Sequence, residues 1–210
     1  MSHSDIHYLI TRIMLSAIIL AAGRSSRMGA FKQLLPFGDM TVIERIVSVL
    51  LASRVAETIV VLGHRADEIQ AQLDGYEVTI TRNPDPEGDM LSSVQCGVRA
   101  ATQDHGVMIV LGDQPLITTE MVDELISFYE QKQDAFVIPV HEDKRGHPMI
   151  ISPRYREDIL SLSGNAGLKA LRDRYPEAIC RVPVDTKSIL ADMDYYHDYE
   201  NALRHLSDKE

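Results

Sequence analysis

Residues 15 to 32 read LSAIILAAGRSSRMGAFK, and no other stretch limits the fold so sharply. The apolar run from Leu15 to Ala22 stops at Gly23 and is followed by Arg24, Ser25, Ser26, Arg27, Gly29 and Lys32. A buried strand emptying into a glycine-hinged, cationic loop is suited to an anion. Small residues let a ligand reach the backbone, amide N–H groups point at it, and Arg27 and Lys32 add positive charge. An ordinary strand-to-helix turn with solvated arginines could use the same residues. Two other phosphate loops are excluded by spacing. A Walker loop ends in Gly-Lys-Ser/Thr, whereas Ala30 and Phe31 follow Gly29. The dinucleotide loop G-x-G-x-x-G needs a glycine where Ser25 stands.

Downstream, short apolar runs alternate with segments of helical spacing. Helices are expected at Thr41–Ser53, Ala66–Leu73, Met90–Ala101, Thr118–Gln131, from Gly164–Gly167 through Arg172, and at Tyr195–Leu206. Strands are expected at Glu57–Leu62, Glu77–Thr81, Val107–Leu111, Ala135–Val140, Pro148–Ile151 and Ala178–Val184. Such alternation predicts an α/β domain with a mostly parallel sheet covered on both faces, its ligands lying beyond the carboxyl ends of the strands. Gly112-Asp113-Gln114-Pro115 leaves one of those ends. Asp113 is therefore a candidate to hold magnesium against a triphosphate, although a turn aspartate satisfying backbone amides would read the same.

With 210 residues, 45% of them hydrophobic, the chain can build one substantial core. The expected organisation is a loose extension over residues 1–13 and one domain over 14–210, with Met14 as an alternative start. A net charge of -10 disfavours a general nucleic-acid binder but not an anionic small substrate held by focused cations. The run Ile13–Ala22 is too short to cross a bilayer and lacks signal-peptide flanks. Cys96 and Cys180 show no metal-type spacing, so a cytoplasmic location without a membrane partner is expected.

The segment LAAGRSSRMGAFKQLLPF, Leu20 to Phe37, resembles the signature of the MobA-like NTP transferases, above all the molybdenum cofactor cytidylyltransferases. That resemblance implies a three-layer sandwich with a Rossmann-like sheet of the nucleotide-diphospho-sugar transferase type. It implies that Leu20, Ala21, Ala22, Gly23, Ser25, Ser26, Arg27 and Lys32 hold a nucleotide, with Arg27, Lys32 and Asp113 catalytic. Asn83, Ser92 and Ser93 match a family segment near base and sugar, and Arg145-Gly146-His147-Pro148 matches a motif bordering a pterin acceptor. Gly164 and Gly167 match a second element on the pterin side, where Asn165 and Lys169 depart from the family pattern. Asp194 takes the second metal position with Asp192 as fallback, and Tyr195-Tyr196 stand where the family has Thr-Pro.

The activity so implied is Mg2+-dependent transfer of CMP from CTP to molybdopterin with release of pyrophosphate, and a molybdenum hydroxylase as possible client. Ala22, where the guanylyl branch carries glycine, tilts the resemblance toward cytosine. The alternatives are GTP or another NTP, a sugar or polyol phosphate acceptor, or a non-catalytic cofactor carrier.

Overall fold

The computed structural model describes residues 14–24, 28–85, 88–164 and 167–207. Its strands and helices follow in the order β1 (Leu15–Ala21), β2 (Pro36–Phe37), β3 (Met40–Thr41), α1 (Val42–Leu51), β4 (Glu57–Leu62), α2 (Ala66–Gln72), β5 (Thr79–Arg82) and α3 (Met90–Ala100). The chain continues with β6 (Gly106–Leu111), α4 (Thr119–Gln131), β7 (Phe136–His141), β8 (Lys144–Arg145), β9 (Met149–Ile151), α5 (Arg156–Ser161), α6 (Leu168–Arg174), β10 (Ile179–Pro183) and α7 (Tyr196–Ser207). Short 3-10 turns cover Lys32–Leu34, Pro153–Tyr155, Pro176–Ala178 and Lys187–Leu190.

The main sheet runs β10-β7-β9-β6-β1-β4-β5, with β8 paired to β7. The expected parallel core is present: β1 lies between β4 and β6, parallel to both. Its residues Ala17, Ile18 and Ile19 are fully buried, as a strand covered on both faces requires. β9 is the exception, since it runs antiparallel between β6 and β7.

Two apolar clusters fill the faces of the sheet, giving three layers. One gathers Ile43, Ile46, Val47 and Leu50 of α1 with Val122, Leu125 and Ile126 of α4 and Tyr199 and Ala202 of α7. The other packs Val94 and Val98 of α3 with Ile159 of α5 and Leu171 of α6. Each fully buried aliphatic side chain stabilises the fold by roughly 1.5–3 kcal/mol. α3 approaches β1 so closely that a Cβ at Gly97 would meet the Ile18 side chain at 2.3 Å.

Helix entries are chemically marked. Thr41 and Glu44 form a reciprocal capping box on α1, and the Thr118 hydroxyl accepts from the Met121 amide at the start of α4. The expected strand over Glu77–Thr81 begins instead at Thr79, because the Tyr76 carbonyl bends back to the Val78 amide. No helix among the described residues is long and apolar enough to cross a membrane. The expected extension, residues 1–13, lies outside the described residues.

Candidate active site

β1, β4 and β6 end along one rim, and the chain leaves each of them through small residues. Over this rim opens a cleft of about 590 Å3, lined among others by Leu20, Ala22, Gly23 and Asp113. A volume of this size suits a nucleotide-sized ligand.

Lys32 sits at the floor. The 3-10 turn over Lys32–Leu34 buries its stem and directs the ammonium between two carboxylates. Nζ donates to Asp113 Oδ2 at 3.1 Å and to Asp194 Oδ1 at 2.8 Å. Asp113 is placed by the turn after β6, and its carbonyl accepts from the Met193 amide at 3.2 Å. That bond ties the turn to the segment carrying Asp192 and Asp194. Asp198 then fixes the entry to α7, its Oδ2 accepting from the amides of Asp194 and Tyr195 at 3.0 and 2.7 Å. Tyr195 and Tyr196 thus enter α7 through an aspartate-braced turn.

Burial works against the charge of Lys32, but the two carboxylates outweigh it and hold its pKa above the usual range. Asp113 is shifted upward by burial, which the attraction of Lys32 does not cancel and to which Asp192 and Asp194 add. Both members of one ion pair are therefore raised. The asymmetry is physical: Asp113 meets two further carboxylates besides Lys32, whereas Lys32 meets two opposite charges.

A divalent ion fits this donor set. Among the described residues no three His, Cys, Asp or Glu side chains are gathered closely enough to hold an ion alone. Asp113 and Asp194, both already facing one cation, offer the one or two carboxylates that Mg2+ or Mn2+ takes alongside substrate phosphate oxygens and water.

The structure distributes the sequence-predicted residues unevenly. Leu20, Ala22, Gly23, Lys32, Asn83, Ser93, Asp113, Asp192 and Asp194 line the cleft. Ala21 is sealed in the core and does not. Ser25, Ser26 and Arg27 lie outside the described residues. Asn83 spends its amide locally, Nδ2 donating to Ser92 Oγ at 2.8 Å and to Ser93 Oγ at 3.0 Å, so it locks the start of α3 to the end of β5. Ser92 lines a separate groove with Thr81, Gln95 and Cys96.

Arg145, Gly146, His147 and Pro148 do not line the main cleft. Gly146 presses on the turn before Asp192: its Cβ would stand 2.3 Å from the Ile189 carbonyl oxygen, and only glycine fits. The His147 amide donates to the same carbonyl at 3.0 Å. Burial, aided by the charge of Arg172, pushes the His147 imidazole down to about 4, so it is neutral at pH 7. Gly164 and Gly167 flank residues outside the description, and neither lines this cleft.

Reading the sequence missed Arg24, Gln33, Asp89 and Met90, which also line the cleft. Arg24 Nε donates to His64 Nε2 at 2.8 Å, and Asp89 caps α3 by accepting from the Ser92 amide. Arg24 and Gln33 flank residues already singled out, and Asp89 precedes a helix in a cap position. Met90 carries no chemical signal beyond being an exposed apolar residue.

The model of the MobA-like NTP transferase domain matches residues 17–179. The molybdenum cofactor cytidylyltransferase of Escherichia coli K12 is 32% identical over 141 residues, 66% of this chain and 70% of that protein. Nicotine blue oxidoreductase of Paenarthrobacter nicotinovorans is 28% identical over 188 residues, 85% of this chain and 91% of that one. A nucleotidyl transferase from Methanothermobacter thermautotroptrophicus superposes with a TM-score of 0.81 at 28% identity, covering 94% of this chain and 99% of its own. Rv0371C from Mycobacterium tuberculosis H37Rv, solved in complex with manganese, gives 0.75 at 25% identity, with coverage of 91% and 98%. The chain belongs to the MobA-like NTP transferase family and is, by that membership, a nucleotidyltransferase.

Proposed function

We propose that the protein transfers CMP from CTP to the terminal phosphate of molybdopterin and releases pyrophosphate. The observation carrying this reading is Lys32 Nζ, fixed between Asp113 and Asp194 on the floor of a nucleotide-sized cleft. The cytidylyltransferase relative and Ala22 at the loop support the choice of base and acceptor.

An oxygen of the acceptor phosphate attacks the α-phosphorus of CTP, the bond to the bridging β-oxygen breaks, and pyrophosphate leaves. Such a transfer asks the protein for positioning and charge neutralisation rather than covalent chemistry. Gly23 leaves the backbone open to the triphosphate, and Arg27 is proposed to hold its outer phosphates. Lys32 offers its proton-bearing nitrogen to the charge that develops at the α-phosphate. Mg2+ held by Asp113 and Asp194 would neutralise the phosphates when bound. Asn83 keeps Ser93 at the cleft wall, beside the base and sugar. Arg145 to Pro148, Gly164 and Gly167 are proposed to face the pterin.

The test is pyrophosphate release from CTP and, separately, GTP, with magnesium and molybdenum-loaded molybdopterin. Release with CTP well above that with GTP is expected. Preference for GTP overturns the choice of base. Release only with a sugar or polyol phosphate overturns the acceptor, and tight pterin binding without release with any nucleotide leaves the carrier reading.

A further inference from the structure

A second cleft, of about 540 Å3, shares no lining residue with the first and is built from Arg145, Arg172, Asp173, Pro176, Ile179 and Arg181. Sheet parity explains how its cations converge. Arg181 of β10 stands opposite Ile138 and Arg145 of β8 opposite Val140, two positions apart on β7 and so on one face. Ile138 packs in the same cluster as Leu171 of α6, whose next residue is Arg172. Three guanidiniums from three elements thus line one hollow.

Several other arginines are matched, although Arg45 also keeps a buried Nε without a partner among the described residues. Arg54 pairs with Asp123 and Glu130, Arg82 with Asp67, Arg154 with Asp134 and Arg174 with Asp158. Arg145, Arg172 and Arg181 have no side-chain hydrogen bond or ion pair among the described residues. Arg172 Nε is buried with nothing to donate to. Burial and the charge of Arg145 both lower the Arg172 pKa, against a weaker pull from Asp173. Gathering like charges and stranding a buried donor costs stability unless something else satisfies them. In a chain with 31 acidic residues, three converging arginines with no ion pair or side-chain hydrogen bond, and only Asp173 beside them, point to a ligand rather than a fold contact.

We infer that Arg145, Arg172 and Arg181 form a second oxyanion site, built for a phosphoryl-type dianion of a small molecule and separate from the triphosphate cleft. Forked guanidiniums match tetrahedral oxyanions with paired, charge-assisted hydrogen bonds. The site does not depend on which nucleotide or acceptor the enzyme uses, although Arg145 also belongs to the proposed pterin motif.

The experiment is titration of the full chain with inorganic phosphate and, in a parallel arm, malonate, following the arginine Nε–H resonances by nitrogen-edited NMR. Arg172 and Arg181 signals, assigned by their loss in Arg172→Lys and Arg181→Gln, are expected to move on one phosphate isotherm. Arg181→Gln, an exposed edge-strand change, should keep the fold and weaken phosphate binding about tenfold. Lys32→Ala should leave this isotherm unmoved, so failure here is distinct from failure of the nucleotidyl-transfer reading. Absence of a shift at tens of millimolar phosphate, an isotherm indifferent to Arg181→Gln, or tighter binding of malonate than phosphate would each overturn the assignment.

Discussion

The two ends of β1 carry similar ingredients put to opposite uses. At its amino end, Glu57 accepts from the Ser16 hydroxyl and from the Thr102 amide at 2.8 Å, while His105 Nδ1 lies 3.3 Å from the same carboxylate and 3.0 Å from Ser16 Oγ. Burial opposes the Glu57 charge, yet those hydrogen bonds win and its pKa falls below the usual carboxylate value. At the carboxyl end, Asp113 is also partly buried and also paired, and its pKa rises. What differs is who satisfies the oxygens. Donors from neighbouring chain segments surround Glu57, whereas Asp113 has Lys32 on one side and an open cleft and two more acids on the other. One cluster staples the fold, and the other holds unspent electrostatic energy over a cavity.

Lys32→Ala should break the contrast most severely. Removing a cation aimed at developing phosphate charge is expected to cut turnover about 100- to 1,000-fold, with a smaller change in KM for the nucleotide. Steady-state pyrophosphate release checks this, and unchanged turnover would reduce Lys32 to a structural ion pair.

At the other end, Glu57→Gln should leave turnover alone and cost about 1 kcal/mol of folding stability at neutral pH. The sign follows from linkage. A carboxylate with a depressed folded pKa contributes stability above its unfolded pKa and loses it as pH falls through the folded value. Urea unfolding at pH 7 should therefore separate the two proteins, and the gap should narrow as the pH is taken below the usual carboxylate range.

Asp113→Asn gives the smallest and opposite shift in stability. A raised carboxylate pKa destabilises the folded state above the unfolded pKa, with relief as pH falls through the folded value. Neutralising it should raise stability at pH 7 by up to about 1 kcal/mol, or about 3 °C in Tm, while turnover is lost. Calorimetry beside the activity assay tests whether function is the reason for keeping the acid.

The parallel core was legible because its strands are continuous apolar runs. Glu57–Leu62 begins and ends where the β-branched pattern does, and Gly23 marks the end of β1 within two residues. Two-residue strands such as β2 and β3, paired about Gly38-Asp39, are too short to show any period. β9 also escapes. Met149-Ile-Ile151 reads as a buried strand in either direction, and only the tertiary pairing makes it antiparallel. α5 was not expected at all, because six residues opening on a 3-10 turn give one and a half turns of pattern.

In the site, Lys32 and Asp113 announced themselves by residue type beside glycine turns. The partnership of Lys32 with Asp194 could not be read from spacing, and only the family resemblance ranked Asp194 ahead of Asp192. Both line the cleft, and Asp194 is the one of the two that accepts a hydrogen bond from Lys32. Asn83 was singled out only by its match to a family segment near base and sugar. Its two donors, spent on Ser92 and Ser93, make it a bracket for helix α3. Arg172 and Arg181 lay hidden because convergence from a helix and an edge strand leaves no mark on either segment alone.

The bond from Lys32 to Asp194 spans 162 residues of chain. During synthesis Lys32 emerges 162 residues ahead of the aspartate that completes the clamp. Contacts so distant in sequence close late in folding, after local helices and neighbouring strands have formed. A nascent chain therefore exposes Lys32 long before it holds the second carboxylate, and the clamp closes in one step, when the segment carrying Asp194 docks.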